Sequence, residues 1–556
     1  MSSVATDHVN QTDVLIVGGG PVGLALASEL GFNGIACTLV EQGDGVVATP
    51  KMNEVNTRSM EFCRRWGLAG QVHDTPFPDD WPKDVVFVTT LDGYELGRVE
   101  RPPGRIRSSE HSPEALQICS QHWFDPILRR FAETLPTVEL RYGCRFDSFE
   151  ETADGVIATV GDAEGGGATT IAAKYLVGCD GAGSAVRRAL GIPLEGEGLL
   201  GHAVNMFFRA PDLLEACGKR PGTFFIPVDG GGVWSNLRVI EPHTGLWRLM
   251  VNETGEGTTA GDVDREAYLR RGVGRDVAVD WVDVNIWRRQ SVLAASYGRG
   301  RVFLAGDAVH QVSPTGAMGM NTGLGDAVDL GWKLAAVLQG WGGDGLLASY
   351  DAERRPVGAR AVKGATAFHH LQSGWGEGLD RLAEDSAKGA EARRRIGDRL
   401  VENIGREFRT MGLQLGYRYE DSPVCVPDGT APVPDDPATY VPSARPGARA
   451  PHAWLDEGQG GGQDRSTLDL FGRGFTLLSF EDGGGDDDPN DVPGAMETAA
   501  AARRMPLRVE RVASGEARDL YECRHALVRP DGHVAWRGDD PGDDPGAILD
   551  RVRGAA

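Results

Sequence analysis

Several chemistries are excluded by what this chain of 556 residues lacks. It has only eight cysteines, too few for a disulfide scaffold of this length, and no two form C-x-x-C, so neither a zinc ribbon nor a dithiol redox centre is expected. No run of about 18 apolar residues occurs, so no membrane span is expected. The N-terminus, MSSVATDHVNQTD, has neither a basic segment nor an apolar one, so no secretory signal is read and the expected setting is cytoplasmic. Basic residues are also scarce. Against 80 Asp and Glu stand 57 Lys and Arg, a net charge of −23, which argues against a nucleic-acid partner, since phosphate neutralisation needs clustered cations.

What the chain has in excess is glycine: 77 residues, about 14% of the total and roughly twice the usual share. At roughly 150 residues per domain the length suggests three or four domains, and a hydrophobic content of 41% can fill their cores.

The patterning divides the chain. Asp13–Val17 reads as a strand running into glycines, Pro21–Phe32 as a helix and Ala36–Val40 as a second strand, which together make a βαβ unit. Helices are expected from about Asn56, carrying Met60, Phe62 and Trp66, and over Gln121–Glu133. Residues 156–177 read as a hairpin turning at 162–167. From about 200 to 290, apolar and polar residues alternate in Ala203–Arg209, Thr223–Pro227, Val233–Val239 and Trp247–Val251, as in half-buried antiparallel strands. A βα unit follows, strand Arg301–Ala305 and a helix from about Gly323 to Leu338. Residues 379–410 read as a solvent-facing helix, and seven prolines between Pro423 and Pro446 as a linker. Beyond it, 447–556 reads as a small α/β domain with the strand Phe475–Leu478 and an acidic loop, Gly483–Asp491.

Gly18-Gly19-Gly20-Pro21-Val22-Gly23 fits G-x-G-x-x-G between a strand and a helix. In that fingerprint Gly18 allows the tight turn, Gly20 the approach of a pyrophosphate to the backbone, and Gly23 the packing of helix on strand. The helix start, with Val22, offers unpaired N–H groups to phosphate. Glu41, followed by Gln42, ends the second strand, where a carboxylate accepts hydrogen bonds from ribose hydroxyls. FAD and NAD share this geometry, so the fingerprint leaves the choice of dinucleotide open.

Two further motifs narrow it. Tyr175-Leu-Val-Gly-Cys-Asp180-Gly181-Ala-Gly-Ser184-Ala-Val-Arg187 and Arg301-Val-Phe-Leu-Ala-Gly306-Asp307-Ala-Val-His310, the second continuing through Ser313-Pro314-Thr-Gly316 to Met320-Asn321 and Gly323, then Asp326 and Trp332-Lys333, resemble motifs of the single-component FAD aromatic hydroxylases. The resemblance covers most of 10–410. It implies a Rossmann-like FAD domain (10–75, 101–195 and 290–400) interleaved with an antiparallel-sheet substrate domain (76–100 and 196–289), then a helical end and Pro-rich linker (401–446). Gly447–His452 and Leu527–Arg537 resemble the ends of the thioredoxin-like C-terminal domain of phenol-hydroxylase-type members, here 447–556. Cys523 stands alone there, so a structural or dimer-contact role is expected rather than dithiol chemistry.

The cofactor residues so implied are Gly18, Gly20, Val22, Gly23, Glu41, Gln42, Lys51, Arg58, Gln121, Asp180, Asp307, Pro314, Gly319, Met320 and Asn321, with the Pro314 and Gly316 backbone at the flavin. Asp307 would hold the ribityl chain. Asp180 and Arg187 would belong where pyrophosphate and nicotinamide meet, Arg187 with a structural role as the alternative. Independently of the resemblance, Pro followed by glycines at a helix start presents N–H groups that would stabilise an anionic reduced flavin. No second G-x-G-x-x-G unit appears, so no dedicated nicotinamide-cofactor domain is expected, and the resemblance implies NADPH or NADH as a transient co-substrate. No metal is expected. The W-x-W-x-I-P signature of flavin halogenases is missing.

The implied reaction is hydroxylation of a phenolic or other electron-rich ring through a flavin C4a-hydroperoxide, using NAD(P)H and O2. A base or relay for the ring hydroxyl is expected, but no residue is nominated. Much of the family has Arg where this chain has Lys51, and Lys lacks the bidentate fork. Phenol hydroxylases have an Asp and a Tyr near the substrate where this chain has Asn53-Glu54 and Ile286-Trp287, so a decorated natural-product or aromatic-compound intermediate is favoured over phenol itself. His202, Asn205, Phe225, Trp234, Arg238 and Trp287 are the pocket candidates, each also readable as an ordinary sheet residue. The alternatives are Baeyer–Villiger or epoxidising oxygen insertion on the same fold and, more remotely, a non-catalytic FAD-binding protein.

Overall fold

The computed structural model describes residues 10–101, 108–372, 377–455, 465–480, 491–542 and 544–556; most of the acidic loop read at 483–491 lies outside them. Val14–Val17 are apolar without alternation because both faces of their strand, Asn10–Val17, are covered. The strand pairs in parallel with Cys37–Glu41 on one side and Ala168–Gly178 on the other, and the second of these with Val302–Leu304. The register sets Val17 beside Val40 and Gly178, and Gly178 beside Leu304. Four carboxyl ends therefore meet along one sheet edge, and Gly18, Glu41, Asp180 and Asp307 all leave from it. In an open α/β sheet this edge is the ligand crevice. Helix Pro21–Phe32 packs on helix Gly319–Leu338. The second helix starts one turn earlier than its glycines suggest, because Asn321 anchors that turn.

Among the described residues the second sheet has nine strands, mostly antiparallel, and two unlike faces. Val204, Met206, Phe208, Phe225, Leu237, Leu249 and Val251 point into one apolar core, which helix Arg265–Val273 covers. Alternation sends Asn205, Asn236, Arg238, Arg248, Asn285, Trp287 and Arg289 to the opposite face.

Two segments depart from the sequence reading. Helix Ala387–Asn403 does not face solvent all round: Ile396 and Leu400 bury against strand Glu95–Val99 of the second sheet, because apolar residues four apart make one stripe. The proline-rich stretch is not a free linker. Val424 packs with Trp332 and Trp341, and the Val426 N–H bonds the Ala535 carbonyl.

The C-terminal unit orders its strands as Leu507–Val512, Phe475–Phe480, His525–Val528 and Val534–Gly538, the first pair parallel and the rest antiparallel, with helices Val492–Ala502, Gly515–Tyr521 and Pro545–Val552, a thioredoxin-like arrangement. Ion pairs lock it to the first unit. Arg529, fully buried, bridges Asp531 of its own domain to Asp329 (2.8 Å) and Glu353 (2.6 Å) on the two long helices. Arg449 reaches Glu61 in the same way, with its Nε at 2.9 Å. Such networks are costly to desolvate and costlier to break.

Candidate active site

At the sheet edge, Gly18 has φ +109°, and a Cβ there would lie 2.4 Å from the Cys179 carbonyl. A Cβ on Gly23 would lie 1.9 Å from the Gly18 carbonyl. Gly20 differs, since nothing stands within 4 Å of the position its Cβ would take. Two of the glycines thus serve packing, and the third fronts open space at a helix start that no side chain caps. Val22 presses on Gly306 and Gly323, where a Cβ would stand 2.9 and 2.6 Å from it. The Glu41 carboxylate accepts the N–H groups of Gly19 and Gly43, both at 2.7 Å, and Gln42 next to it is exposed. Asp180 Oδ2 accepts the Ala185 and Val186 N–H groups at a helix start, its buried Oδ1 has no hydrogen-bond partner among the described residues, and Arg187 donates to the Ala308 carbonyl at 2.9 Å.

Asp307 opens onto the cleft from buried neighbours. The loss of hydration around it raises its pKa, against the pull of His310 and Lys51. Behind it, Asp326 accepts from His310 (2.9 Å), Gly306 N–H (3.1 Å) and Arg354 (2.9 Å), so the turn holding Asp307 is braced from the core. Gln121 accepts the Lys51 N–H at 3.0 Å and donates to Asp125, whose carboxyl burial pushes up to about 7. In the loop after Pro314, Gly316 and Ala317 both have positive φ, +79° and +52°. Left-handed backbone at a non-glycine residue stores strain of about 1–3 kcal/mol, characteristic of ligand sites. Gly319 abuts Asp307, its virtual Cβ 3.9 Å from Oδ1, and Met320 follows it, partly buried against the first core. Asn321 accepts the Asn56 N–H (2.9 Å) and donates to the Glu54 carbonyl (3.1 Å), tying this loop to segment 54–56.

That segment opens the other end of the cleft. Glu54 accepts from Arg101 and from Arg238, each at 3.2 Å. Burial opposes its ionisation, but the two guanidiniums prevail and hold it at about 2. Phe224 lies under Arg238 and Phe408 under Arg101, and the two rings meet edge to face at 6.1 Å. Arg248 is buried among them, bonded to Asn236 at 3.3 Å, with no acidic partner among the described residues. Desolvation, then the charge of Arg238, lowers it to about 9, still protonated at neutral pH.

The matches with known proteins agree with this geometry. The model of the FAD binding domain matches residues 11–365, and that of the aromatic-ring hydroxylase C-terminal domain matches 443–556. The chain is 34% identical to a putative polyketide hydroxylase of Streptomyces halstedii, over 97% of this chain and 95% of that protein. RebC, solved after soaking with chromopyrrolic acid and with 7-carboxy-K252c bound, superposes with a TM-score of 0.90 at 40% identity, over 99% of this chain and all of that one. The flavin-dependent monooxygenase PieE, in complex with FAD and substrate, superposes at 0.87 with 30% identity, over 99% of this chain and all of that one. The chain belongs to the FAD-dependent aromatic hydroxylases.

In this hydroxylase the residues present suit FAD. Open space before Gly20, an uncapped helix start, an orphaned Asp180 oxygen and a carboxylate turned into the cleft are what a dinucleotide would satisfy. Of the residues expected there, Arg58 lies elsewhere. It donates to Tyr417 (3.2 Å), Glu61 (2.7 Å) and the Asp531 carbonyl (2.6 Å), so its fork clamps the C-terminal domain and is not turned to a cofactor. Among the pocket candidates, Arg238, Asn205 and Trp287 share the cleft-facing side of the sheet. Phe225 and Trp234 pack on the apolar side, as alternation requires for Phe225 and as stacking on Tyr268 and Arg271 does for Trp234. His202 lies beyond a β-bulge, which breaks the alternation. Sequence reasoning missed Arg101, Arg248, Phe224, Phe408 and Glu407, and noted Glu54 only as a departure. None sits in a motif; for Arg248 the period-two pattern was a usable signal.

Proposed function

We propose that this hydroxylase acts on a fused or decorated phenolic ring system that carries an anionic group, a natural-product intermediate rather than a simple phenol, and that NADPH or NADH reduces it in the cytoplasm. Arg248 carries the reading. Arg101 and Arg238 share one firmly ionised carboxylate, Glu54, whereas Arg248, buried beside Arg238 and bonded to Asn236, has no acid among the described residues. A buried guanidinium without an acid is costly until a ligand brings the charge, and Arg favours carboxylate for its bidentate fit. The carboxy ligand named with RebC is consistent with this.

Bound FAD supplies the two-electron chemistry that activates dioxygen. The chain's own part is placement. Gly20 and the helix start receive phosphate, Glu41 the ribose and Asp307 the ribityl hydroxyls; the Pro314–Asn321 backbone holds the ring system. Phe224 and Phe408 give the substrate an apolar aromatic wall that excludes water, and Arg238 and Arg248 fix its orientation through the anionic group. A dimer through the C-terminal unit completes the proposal.

The test is a panel of polycyclic phenols, each with and without a carboxylate, scored for substrate-stimulated NAD(P)H oxidation and for one added oxygen atom in the product. A phenolic product, formed faster from the carboxylates, is expected. A ring-expanded lactone would replace this reading with Baeyer–Villiger insertion, and purified protein that cannot be loaded with FAD would defeat it.

A further inference from the structure

Glu407 lies on the short turn Ile404–Phe408, in the stretch between 365 and 443 that neither family model covers. The turn packs against helix Ala387–Asn403, helix Gly345–His370 and the turn Thr315–Ala317. Glu407 Oε1 accepts the N–H of Gly316 at 3.3 Å, so one carboxyl oxygen touches the loop at the flavin site. Its other neighbours belong to the substrate end: Glu54 from segment 54–55, Arg289 and Arg238 from the second sheet, and Gln372, which donates a hydrogen bond. The next residue, Phe408, is half of the aromatic wall. The residue is only half-buried. It is therefore a carboxyl at the seam between the cofactor loop and the substrate wall, where the reacting ring has to lie.

We propose that Glu407 is the proton acceptor for the ring hydroxyl of the substrate, an inference that rests on the hydroxylase reading above. The other candidate proton acceptors near the cleft are unsuited. Glu54 is pinned by two guanidiniums and is a very weak base; Asp307 and Asp125 belong to the dinucleotide end; His310 is fully buried behind the cofactor loop, bonded to Asp326. Glu407 has no such clamp. In the step, the hydroxyl O–H bond breaks, the proton moves to the Glu407 carboxylate, and the electron pair stays on the ring oxygen, where it enriches the ring carbons ortho and para to it. The proton returns to that oxygen as the product becomes neutral. Burial, and the like charge of Glu54, push Glu407 up to about 7, against the Gly316 N–H, Gln372 and Arg289. A base serves best when its pKa lies near the working pH.

The test uses the full-length, FAD-loaded enzyme with a ring substrate that the wild type hydroxylates. Wild-type kcat/KM should rise with pH through an apparent pKa of about 7. Glu407→Gln should lose that limb and about 10²–10⁴-fold in kcat, while FAD content and KM change by less than about threefold. A substrate whose hydroxyl is already ionised should escape most of the loss. A Glu407→Gln enzyme within about threefold of wild type, limb intact, would overturn the proposal. Should that variant not hold FAD, Glu407→Asp takes its place: slower turnover with the limb kept is expected, and an FAD-loaded Asp enzyme without the limb overturns the assignment. Infrared difference spectra of the substrate-free holoenzyme across the same pH range should show protonated-carboxyl absorption from Asp125 and from Glu407, of which Glu407→Gln removes one component; wild-type and Glu407→Gln spectra that coincide are equally decisive against. If no ring at all is hydroxylated, the functional reading fails, and the infrared band still reports on Glu407.

Discussion

The two ends of the cleft are built by opposite means. The dinucleotide end is made of backbone from three contiguous motifs, set side by side because four parallel strands end on one sheet edge. Its specificity lies in glycines that admit a ligand or a neighbouring chain. The substrate end is made of side chains from scattered segments, with Glu54, Arg101, Arg238, Arg248 and Glu407 drawn from five stretches of sequence. Shape and N–H groups suffice for a ligand that never varies, whereas a substrate pocket must be retunable one side chain at a time.

The largest loss of cofactor and of stability together should come from breaking the first end. Gly23→Ala puts a methyl group 1.9 Å from the Gly18 carbonyl, so the strand–helix turn must shift; FAD affinity should fall more than about tenfold, with a lower melting temperature. Gly20→Ala sharpens the point. Its methyl has nothing within 4 Å among the described residues, so FAD affinity should fall while the melting temperature of the apoprotein stays within a few degrees. Flavin-to-protein absorbance and thermal unfolding check both. An equal loss of stability in the two variants would show that Gly20 is also a packing glycine.

A middle effect is expected at the other end. Arg248→Met keeps volume and removes charge, so KM for a carboxylate-bearing substrate should rise about 10–100-fold with FAD content unchanged. The variant should also be no less stable than the wild type, because it removes a buried charge that lacks an acid. Steady-state kinetics with matched acid and neutral substrates reads this out; equal change for both would remove the anion from the proposal.

The smallest effect concerns pH. Glu54 is held at about 2 in the folded chain against its ordinary 4.5, so its ionised form binds its arginines only when folded. That stability is present above the unfolded value and is lost as pH falls from about 4.5 through about 2. Denaturant midpoints across this range should fall less steeply in Glu54→Gln, and parallel curves would show that Glu61 and Glu353, also held low, carry the acid dependence.

Much of the first end was legible as text. A fingerprint works because its residues are neighbours in the chain and its chemistry is backbone chemistry, so Gly18, Gly23 and Glu41 each have a local reason to be what they are. Arg58 shows the limit: the family resemblance pointed it to the cofactor, yet its partners Tyr417 and Asp531 come from hundreds of residues away. The proline-rich stretch failed similarly, because composition describes stiffness but not what Val424 packs against.

The sequence alone determined the parallel sheet, the place of the glycines, the family and its cofactor, and the alternation that divides the second sheet into two faces. Only the tertiary structure decided which face meets the cleft, which arginines lack an acid, and that Glu407 reaches the Gly316 loop. The reason is physical. Backbone geometry and periodicity are set by residues within a few positions of one another, whereas charge balance in a buried site is a sum over groups that only folding brings together.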